Sequence, residues 1–268
     1  LTLLVVRKTP GNISLKKNGQ VREYNTKRSE DLNFVEIGYM IVERDQLLAS
    51  FHKPNCNFSE VLKLMAKNKK IGAWVQEDSY HSISDPERWK KTKKYLKQKK
   101  IVFIDRDGVI NKKAPKGQYI GSWKDFRWID RTRKSLKILS KQGIKFIVIS
   151  NQAGIARGLI SATDVKKINK RMVDVLLNDG VEVLKVYVCP HHWDENCWCR
   201  KPKPGMLFRA ARDYQLRLDK TCFIGDDLRD MEAAENANCE GILWRNQRRF
   251  ADLDNLVSGV LEKKGLLR

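Results

Sequence analysis

Short apolar runs alternate with amphipathic segments along the second part of the chain. The apolar runs predict buried strands at Ile101–Ile104, Ile144–Ile149, Val183–Val188, Thr221–Ile224 and Gly241–Trp244. The segments between them have the apolar spacing of helices, at Arg131–Gln142, Ser161–Asn178, Met206–Tyr214 and Asp227–Ala237. Because repeated strand–helix units form a mainly parallel sheet with helices on both faces, we predict a three-layer, Rossmann-like α/β domain over residues 98–268.

Residues 1–97 have a different pattern and are predicted to form a smaller α/β region. Its β-like runs are Leu3–Val6, Val35–Val42 and Ile71–Val75, separated by turn signals at Pro10-Gly11 and Asn18-Gly19. Ser59 is the expected N-cap of a helix over Glu60–Lys67, and Asp85 begins a second helix that runs to about Lys97.

The composition is that of an ordinary water-soluble protein with a strong basic excess. The 268 residues are 41% hydrophobic, and no apolar run reaches the roughly 18–20 residues of a membrane span. We therefore expect no membrane association. The net charge of +21 suits either nucleic acid or a small anionic substrate. No recognisable nucleic-acid module accompanies the charge, so we favour the small anionic substrate together with a lysine-rich composition that is general to the source proteome. The oligomeric state is left open.

Two carboxylates follow the first strand of the predicted domain. Asp105 and Asp107 stand directly after Ile101–Ile104, and Gly108 indicates that the backbone turns there. Open α/β sheets bind their ligands at this end of the strands, so the pair is a candidate active site. The alternative is a strand-to-turn junction with two solubilising acids.

A second candidate site is rich in cysteine and histidine. Cys189, His191, Cys197 and Cys199 provide four ligands suited to tetrahedral, structural Zn²⁺, with His192 as the alternative histidine. Buried free cysteines are the alternative interpretation. The clustering favours a metal in a reducing, cytoplasmic compartment over disulfides. The remaining cysteines, Cys56, Cys222 and Cys239, stand in apolar contexts typical of packing residues.

Four strand ends carry reactive residues in a characteristic order. Asp-x-Asp-Gly is followed by Ser150-Asn151-Gln152, by Arg200-Lys201 and by Gly225-Asp226-Asp227. This order resembles the haloacid-dehalogenase (HAD) superfamily of phosphatases over roughly residues 100–245. The resemblance implies a catalytic set of four residues and a Mg²⁺ ion.

The resemblance assigns each member of that set a role. Asp105 would be the nucleophile that forms an aspartyl-phosphate, and Asp107 the general acid and base. Ser150 and Lys201 would bind phosphoryl oxygens. Mg²⁺ would be held by Asp105, Asp226 and the backbone carbonyl of Asp107. Asp227 is either a further residue on the metal side or a helix N-cap.

The longer motifs resemble a narrower group. Asp-Arg-Asp-Gly-Val-Ile-Asn, Ser-Asn-Gln-Ala-Gly-Ile-Ala-Arg-Gly and Cys-Pro-His-His…Cys-Trp-Cys-Arg-Lys-Pro are similar to D-glycero-D-manno-heptose 1,7-bisphosphate phosphatases and to histidinol-phosphate phosphatases. That group lacks a large cap domain, so the zinc loop and the loop near Lys112–Tyr119 would cover the substrate. Asn151, Gln152 and Arg200 would contact it. Arg157 is either a further contact or an exposed residue flanking a helix.

Parts of residues 1–97 resemble the C-terminal half of sugar-1-phosphate nucleotidyltransferases. The similar stretches are Gly11–Val21, Val35–Val42 and Ser82–Trp89. The Gly-rich nucleotide loop of that family is absent, and Ser82 stands where many members carry a metal-binding Asp. Nucleotidyl transfer needs both features. We therefore expect an inactive partial domain.

These observations favour a Mg²⁺-dependent phosphatase acting on a small phosphorylated sugar, most directly a heptose 1,7-bisphosphate. Histidinol-phosphate phosphatase is the nearest alternative, because both substrates present a phosphate monoester to the same residues. A nucleic-acid 3′-end phosphatase is less favoured, and a non-enzymatic binding module least of all, since every expected catalytic residue is present.

Overall fold

The computed structural model describes residues 1–51, 55–77, 80–245 and 252–267. The chain divides into two compact units, Leu1–Tyr95 and Leu96–Arg268. The division falls two residues before the predicted one between residues 97 and 98. No helix among the described residues is both long enough and apolar enough to cross a membrane.

The first unit is a five-stranded sheet with helices. Its strands are β1 (Thr2–Arg7), β2 (Gly11–Leu15), β3 (Val21–Ser29), β4 (Phe34–Ile41) and β5 (Gly72–Gln76), in the order β3-β2-β4-β1-β5. Its helices are α1 (Arg44–Leu48), α2 (Phe58–Lys67) and α3 (Pro86–Tyr95). Val61, Leu62 and Met65 of α2 are buried in one core cluster with Leu3 and Ile13 of the sheet. The core of this unit therefore lies between α2 and one face of the sheet.

Several predictions for the first unit were wrong in detail. The prediction omitted β2 and β3. β3 buries only Val21 and Tyr24 of its nine residues, so its apolar alternation is weak. Gly11 begins β2 and does not end a turn. The N-cap of α2 is Asn57, whose side chain accepts a hydrogen bond from the backbone N–H of Ser59, so Ser59 is not the cap.

The second unit is a parallel sheet covered on both faces. Its strands are β6 (Ile101–Ile104), β7 (Lys145–Asn151), β8 (Val183–Cys189), β9 (Cys222–Gly225) and β10 (Glu240–Leu243), in the order β10-β9-β6-β7-β8. Its helices are α4 (Asp130–Lys141), α5 (Ala162–Asn178), α6 (Gly205–Tyr214), α7 (Leu228–Asn236) and α8 (Leu253–Lys263). The prediction missed α8. The other elements lie within two residues of their predicted bounds.

Two apolar cores explain the three layers. One core joins the sheet to α4, α5 and α8, through residues such as Leu136, Met172 and Val257. The other joins it to α6 and α7, through Met206 and Ala233. β6 is central and all four of its side chains are buried, as its continuous apolar sequence requires. The predicted three-layer α/β fold is confirmed.

Candidate active site

The carboxyl end of β6 carries the first two candidate residues. Asp105 continues the strand for one residue, because its N–H donates to the carbonyl of Ile224 at 2.8 Å. Gly108 then adopts a φ of +96°, and its N–H donates to the carbonyl of Asn111 at 2.7 Å. This turn places Asp105 and Asp107 together on the wall of one cavity.

Lys201 joins two carboxylates at the floor of that cavity. Its Nζ lies 2.9 Å from Asp105 Oδ1 and 2.7 Å from Asp230 Oδ1, and it also donates to the carbonyl of Ile149 at 3.1 Å. The side chain is only 4% exposed. Asn151 fixes the backbone of Lys201 through two reciprocal hydrogen bonds of 3.1 Å each. A lysine from the loop after β8 therefore reaches the nucleophile candidate on β6.

Asp230 is a site residue that the prediction missed. Its Oδ2 accepts hydrogen bonds from the backbone N–H groups of Asp226 and Asp227, at 3.2 and 3.1 Å. Carboxylate oxygens of Asp105, Asp226 and Asp230 lie within 4.8 Å of one another. The spacing Asp226-x-x-x-Asp230 at the start of a helix was a usable signal, since it brings the second carboxylate back over the first turn.

Asp227 forms the N-cap of α7. Its side chain accepts from the N–H of Arg229 at 3.1 Å and pairs with the Arg229 guanidinium at 2.9 and 3.0 Å. These bonds hold the pKa of Asp227 well below its usual range. Of the two alternatives for Asp227, the structure shows the helix cap.

The three grouped aspartates fit a hard divalent cation. Asp226 Oδ1 is buried and has no hydrogen-bond partner among the described residues, although a buried carboxylate oxygen ordinarily has one. Its Oδ2 pairs with Lys113 Nζ at 2.7 Å. Burial raises the pKa of Asp226. An all-oxygen set with one unpartnered oxygen is what Mg²⁺ would complete.

Asp107 is held by hydrogen bonds from three side chains. Arg106 pairs with both of its oxygens, the amide of Asn111 donates to Oδ1 at 2.9 Å, and the amide of Gln152 donates to Oδ2 at 2.7 Å. Burial alone would raise the pKa of Asp107. The Arg106 charge and the hydrogen bonds outweigh burial, so its pKa lies below the usual range.

Asp105 has the opposite shift. Burial raises its pKa to about 7, against the effect of the adjacent Lys201 cation and together with that of the neighbouring Asp230 and Asp107. The two carboxyl groups of the Asp-x-Asp pair therefore differ in proton affinity, and a divalent cation held by Asp105 would oppose the effect of burial on its pKa.

Of the polar residues at the end of β7, two line the cavity. Asn151 and Gln152 do so. Ser150 is as buried as Gln152, with 1% exposure each, but it does not line this cavity, and its Oγ accepts a hydrogen bond from the Gln152 amide at 2.9 Å. The structure thus places Ser150 behind Gln152.

The cavity has a volume of about 460 Å³. Its walls include the loop over residues 113–120, as predicted for the segment near Lys112–Tyr119, and parts of the loop after β8. Four basic side chains line it besides Lys201: Lys113, Lys116, Arg200 and Arg229. A cavity with this many cations suits an anionic ligand.

The cysteine and histidine residues also come together. Sulfur and nitrogen atoms of Cys189, His191, Cys197 and Cys199 lie within 4.8 Å of one another. The Sγ–Sγ distances from Cys197 to Cys189 and to Cys199 are both 3.6 Å, close to the separation of two thiolates on one tetrahedral Zn²⁺ with Zn–S bonds of about 2.3 Å. The group therefore fits zinc.

Three other candidate residues, His192, Arg200 and Arg157, have contacts outside this group of cysteine and histidine side chains. The His192 ring caps a short 3-10 turn by accepting from the N–H of Asp194, so the structure selects His191 over His192 for the group. Arg200 directly follows Cys199 and donates to the carbonyl of His191 at 3.4 Å. Arg157 is exposed, and its guanidinium lies 5.9 and 5.6 Å from the ring centres of Tyr119 and Trp193.

Comparison with known proteins places the second unit in a family. A family model described as polynucleotide kinase 3 phosphatase matches residues 100–254. The D-glycero-alpha-D-manno-heptose-1,7-bisphosphate 7-phosphatase of Mycobacterium bovis is 38% identical over 138 residues, which are 50% of this chain and 71% of the relative. The D-glycero-beta-D-manno-heptose-1,7-bisphosphate 7-phosphatase of Pseudomonas putida is 38% identical over 158 residues, 59% of this chain and 89% of the relative.

Solved structures agree with these relatives. The D,D-heptose 1,7-bisphosphate phosphatase from B. bronchiseptica, complexed with magnesium and phosphate, is 28% identical with a TM-score of 0.54 and covers 61% of this chain and 99% of its own. A HAD-like phosphatase from Mesorhizobium loti is 26% identical with a TM-score of 0.55, covering 64% and 88%. The family match does not reach residues 1–97, whose nucleotidyltransferase resemblance stays a prediction. The chain belongs to the family described as polynucleotide kinase 3 phosphatase, a family of HAD-type phosphatases, and it is a phosphoric monoester hydrolase.

Proposed function

We propose that the chain removes the 7-phosphate of a D-glycero-manno-heptose 1,7-bisphosphate by way of an aspartyl-phosphate. The observation that carries this proposal is the buried Lys201 ammonium, 2.9 Å from Asp105 and 2.7 Å from Asp230, on the floor of a cation-lined cavity that Asp107 also faces. Such a site holds a nucleophile, a proton carrier and a counter-charge for a phosphoryl group in one place.

Two aspartates divide the chemistry. A carboxylate oxygen of Asp105 attacks phosphorus, and the bond between phosphorus and the sugar oxygen breaks as Asp107 gives that oxygen a proton. In the second step Asp107 takes a proton from water, whose oxygen attacks phosphorus, and the bond between phosphorus and Asp105 breaks. Phosphate leaves and the Asp105 carboxylate is restored. Lys201 stabilises negative charge on the phosphoryl oxygens. Ser150 positions the amide of Gln152, which donates hydrogen bonds both to Ser150 Oγ and to Asp107 Oδ2.

Asp105, Asp226 and the backbone carbonyl of Asp107 would hold Mg²⁺, and Asp230 lies close enough to contribute. Bound there, the ion would neutralise phosphoryl oxygens, so that the anionic Asp105 carboxylate could approach phosphorus. The structural neighbour from B. bronchiseptica was crystallised with magnesium and phosphate, which supports the same cation here. Asp226 Oδ1, buried without a partner among the described residues, is the oxygen left for it.

Zinc on Cys189, His191, Cys197 and Cys199 would be structural, since the four ligands fill a tetrahedron. The ion would fix the loop that presents Arg200 and Lys201, the two residues that follow Cys199. Zinc thiolates require reduced cysteines, and we propose a cytoplasmic location on that ground.

The substrate assignment rests on the names of the relatives and on charge. Some relatives are named for the alpha anomer of the heptose bisphosphate and others for the beta anomer. The anomer that this chain prefers is therefore determined by comparing both as substrates. Asn151, Gln152 and Arg200 line the cavity where the sugar and its second phosphate would lie. Lys116 and Arg200, which also line the cavity, would provide positive charge for the second phosphate.

The test is Mg²⁺-dependent phosphate release from a matched panel of both heptose 1,7-bisphosphate anomers, histidinol phosphate and a 3′-phosphorylated oligonucleotide. We expect the highest kcat/KM on one of the heptose anomers. The family name and the net charge of +21 make the oligonucleotide the second candidate. A higher kcat/KM for the oligonucleotide or for histidinol phosphate would overturn the heptose assignment and leave the phosphatase chemistry intact.

For residues 1–97 we propose a partial nucleotidyltransferase-like region without nucleotidyl-transfer activity. Residues 82–85 read Ser-Ile-Ser-Asp, without the metal-binding Asp at the first position. Incubation of the full chain with heptose 1-phosphate, ATP and Mg²⁺ should release no pyrophosphate above a protein-free control. Measurable pyrophosphate release would refute this proposal.

A further inference from the structure

Arg106 connects the Asp107 carboxylate to α5, an element outside the cavity wall. We infer that Asn169 of α5 is a positioning residue that aims Asp107 at the leaving oxygen by holding the guanidinium of Arg106. The inference rests on the role proposed above for Asp107. Neither residue was predicted as part of the site.

The guanidinium of Arg106 is used on two sides. Toward the site, Nε lies 3.1 Å from Asp107 Oδ2, while Nη2 lies 3.1 Å from Oδ1 and 2.9 Å from Oδ2. Away from the site, Nη1 donates to Asn169 Oδ1 at 2.9 Å. The planar fork of an arginine binds a carboxylate in one orientation. The orientation of Asp107 is therefore tied to the place of Asn169.

Burial makes this connection rigid. Arg106 is fully buried, with 0% of its side chain exposed, and Asn169 is 6% exposed. Asn169 stands next to Ile168 and three residues before Met172, both of which are packed in the core on this face of the sheet. A buried guanidinium N–H left without an acceptor is strongly disfavoured, so loss of the Asn169 side chain is expected to displace Arg106.

The other contacts of Asp107 come from near the cavity. Asn111 belongs to the same turn, and Gln152 lies at the end of β7 and lines the cavity. Among the described side chains that contact Asp107, Arg106 is the one that also bonds to a core helix, through Asn169 of α5. Proton transfer needs the acid within hydrogen-bond reach of the leaving oxygen, and a misplacement of about 1 Å can cost a factor of about 100 in rate.

The test compares two aryl phosphates with Mg²⁺. p-Nitrophenyl phosphate has a leaving group that departs with little need for a proton, whereas phenyl phosphate has a poorer one that needs the acid. kcat/KM reports substrate binding and the steps up to formation of the aspartyl-phosphate, and it leaves out the later hydrolysis. The difference in kcat/KM between the two substrates then reports how much the reaction depends on protonation of the leaving group. Four proteins are compared: wild type, Asn169→Leu, Asn169→Asp and Asn178→Leu. The last places the same substitution at an exposed position of α5.

Asn169→Leu should lower kcat/KM for phenyl phosphate by about tenfold and for p-nitrophenyl phosphate by less than about threefold. Asn169→Asp keeps an oxygen acceptor for Arg106 and should stay within about threefold of wild type on both. Asn178→Leu should match wild type. Melting temperatures show whether each variant is folded.

The inference is overturned if Asn169→Leu slows both substrates equally, if it behaves like Asn178→Leu, or if Asn169→Asp is as impaired as Asn169→Leu. The aryl phosphates carry no sugar. A wild-type enzyme that ignored heptose bisphosphates would therefore refute the proposed substrate while this comparison could still be read.

Discussion

Gly108 lies against the carboxylate of Asp226, too close for any side chain. A Cβ on Gly108 would be 2.2 Å from Asp226 Oδ2 and 2.7 Å from Oδ1, and its φ of +96° is itself unfavourable for other residues. Gly108→Ala should therefore displace Asp226 and weaken Mg²⁺ binding by at least about tenfold, because a hard-cation site depends on ligand geometry. Isothermal titration with Mg²⁺ measures this directly.

Gly143→Ala is the matched control for that substitution. Gly143 has a similar φ of +81°, but nothing lies within 4 Å of its added Cβ. It should lose about 1 kcal/mol of stability from backbone strain alone, with unchanged Mg²⁺ affinity. Equal Mg²⁺ affinities for the two variants would show that the close approach to Asp226 has no bearing on the metal.

Asp105→Asn should reduce turnover by at least about a thousandfold, because the amide cannot attack phosphorus. The protein should remain folded, since Lys201 keeps its contact with Asp230 at 2.7 Å. Steady-state phosphate release and circular dichroism are the measurements. Asp219→Asn changes a carboxylate that pairs with Arg217 and should retain activity. Substantial turnover by Asp105→Asn would refute the nucleophile assignment.

Purified protein should contain one zinc ion per chain, as measured by elemental mass spectrometry. Chelation, or Cys197→Ser, should remove it and speed hydrogen exchange in residues 189–201. The Michaelis constant should rise, and kcat should fall if Lys201 is displaced, because Arg200 and Lys201 directly follow a zinc ligand. Cys56→Ser, in the first unit, should keep the metal. Purified protein without zinc would refute the proposal that these cysteine and histidine side chains form a zinc site.

Asp179 should contribute to stability in a pH-dependent way. It follows the last residue of α5, where the helix dipole disfavours a negative charge, and two cations of α4 offset this: Arg133 pairs with one oxygen and Lys137 lies 2.8 Å from the other. These contacts lower the pKa of Asp179 below its usual 3.8. Asp179→Asn should therefore lower the free energy of unfolding at pH 7, by about 0.5–1 kcal/mol.

The sign of the pH dependence follows from the lowered pKa. The stabilisation is fully present above the pKa of the unfolded chain, and it is lost as the pH falls through the lower pKa of the folded state. Urea unfolding at pH 7 and at pH 3 should show the two proteins converging at the lower pH. Asp174→Asn removes an exposed pair with Lys170 and should give a smaller difference. A gap that widens on acidification would contradict this account.

The fold of the second unit could be predicted because its central strands are buried on both faces. β6 and β7 read as continuous apolar runs, and the reactive residues stand where those runs end. The first unit was harder, since β3 faces solvent for most of its length. The helix α8 was within reach, because Leu253, Val257 and Leu261 have helical spacing.

The parts of the site that escaped prediction depend on long-range contacts. Arg106 looks like one more surface cation until Asn169, 63 residues away, and Asp107 provide it with buried partners. Asp230 could be read as an ordinary helix residue, and its ion pair with Lys201 joins α7 to the loop after β8, two segments that are distant in the sequence. Local patterns report where strands end, whereas these partners are set by how the chain packs.

The position of β8 at an edge of the sheet has a consequence for how such enzymes diversify. β6, which delivers the attacking carboxylate, is enclosed by β7 and β9, whereas the cysteine-rich loop leaves from an outer strand. Residues can be added to or removed from an outer loop without repacking the centre of the sheet. Natural selection, or an engineer, can therefore change which phosphate ester is accepted while Asp105 and Asp107 stay where they are, as long as Lys201, which the same loop carries, keeps its contact with Asp105.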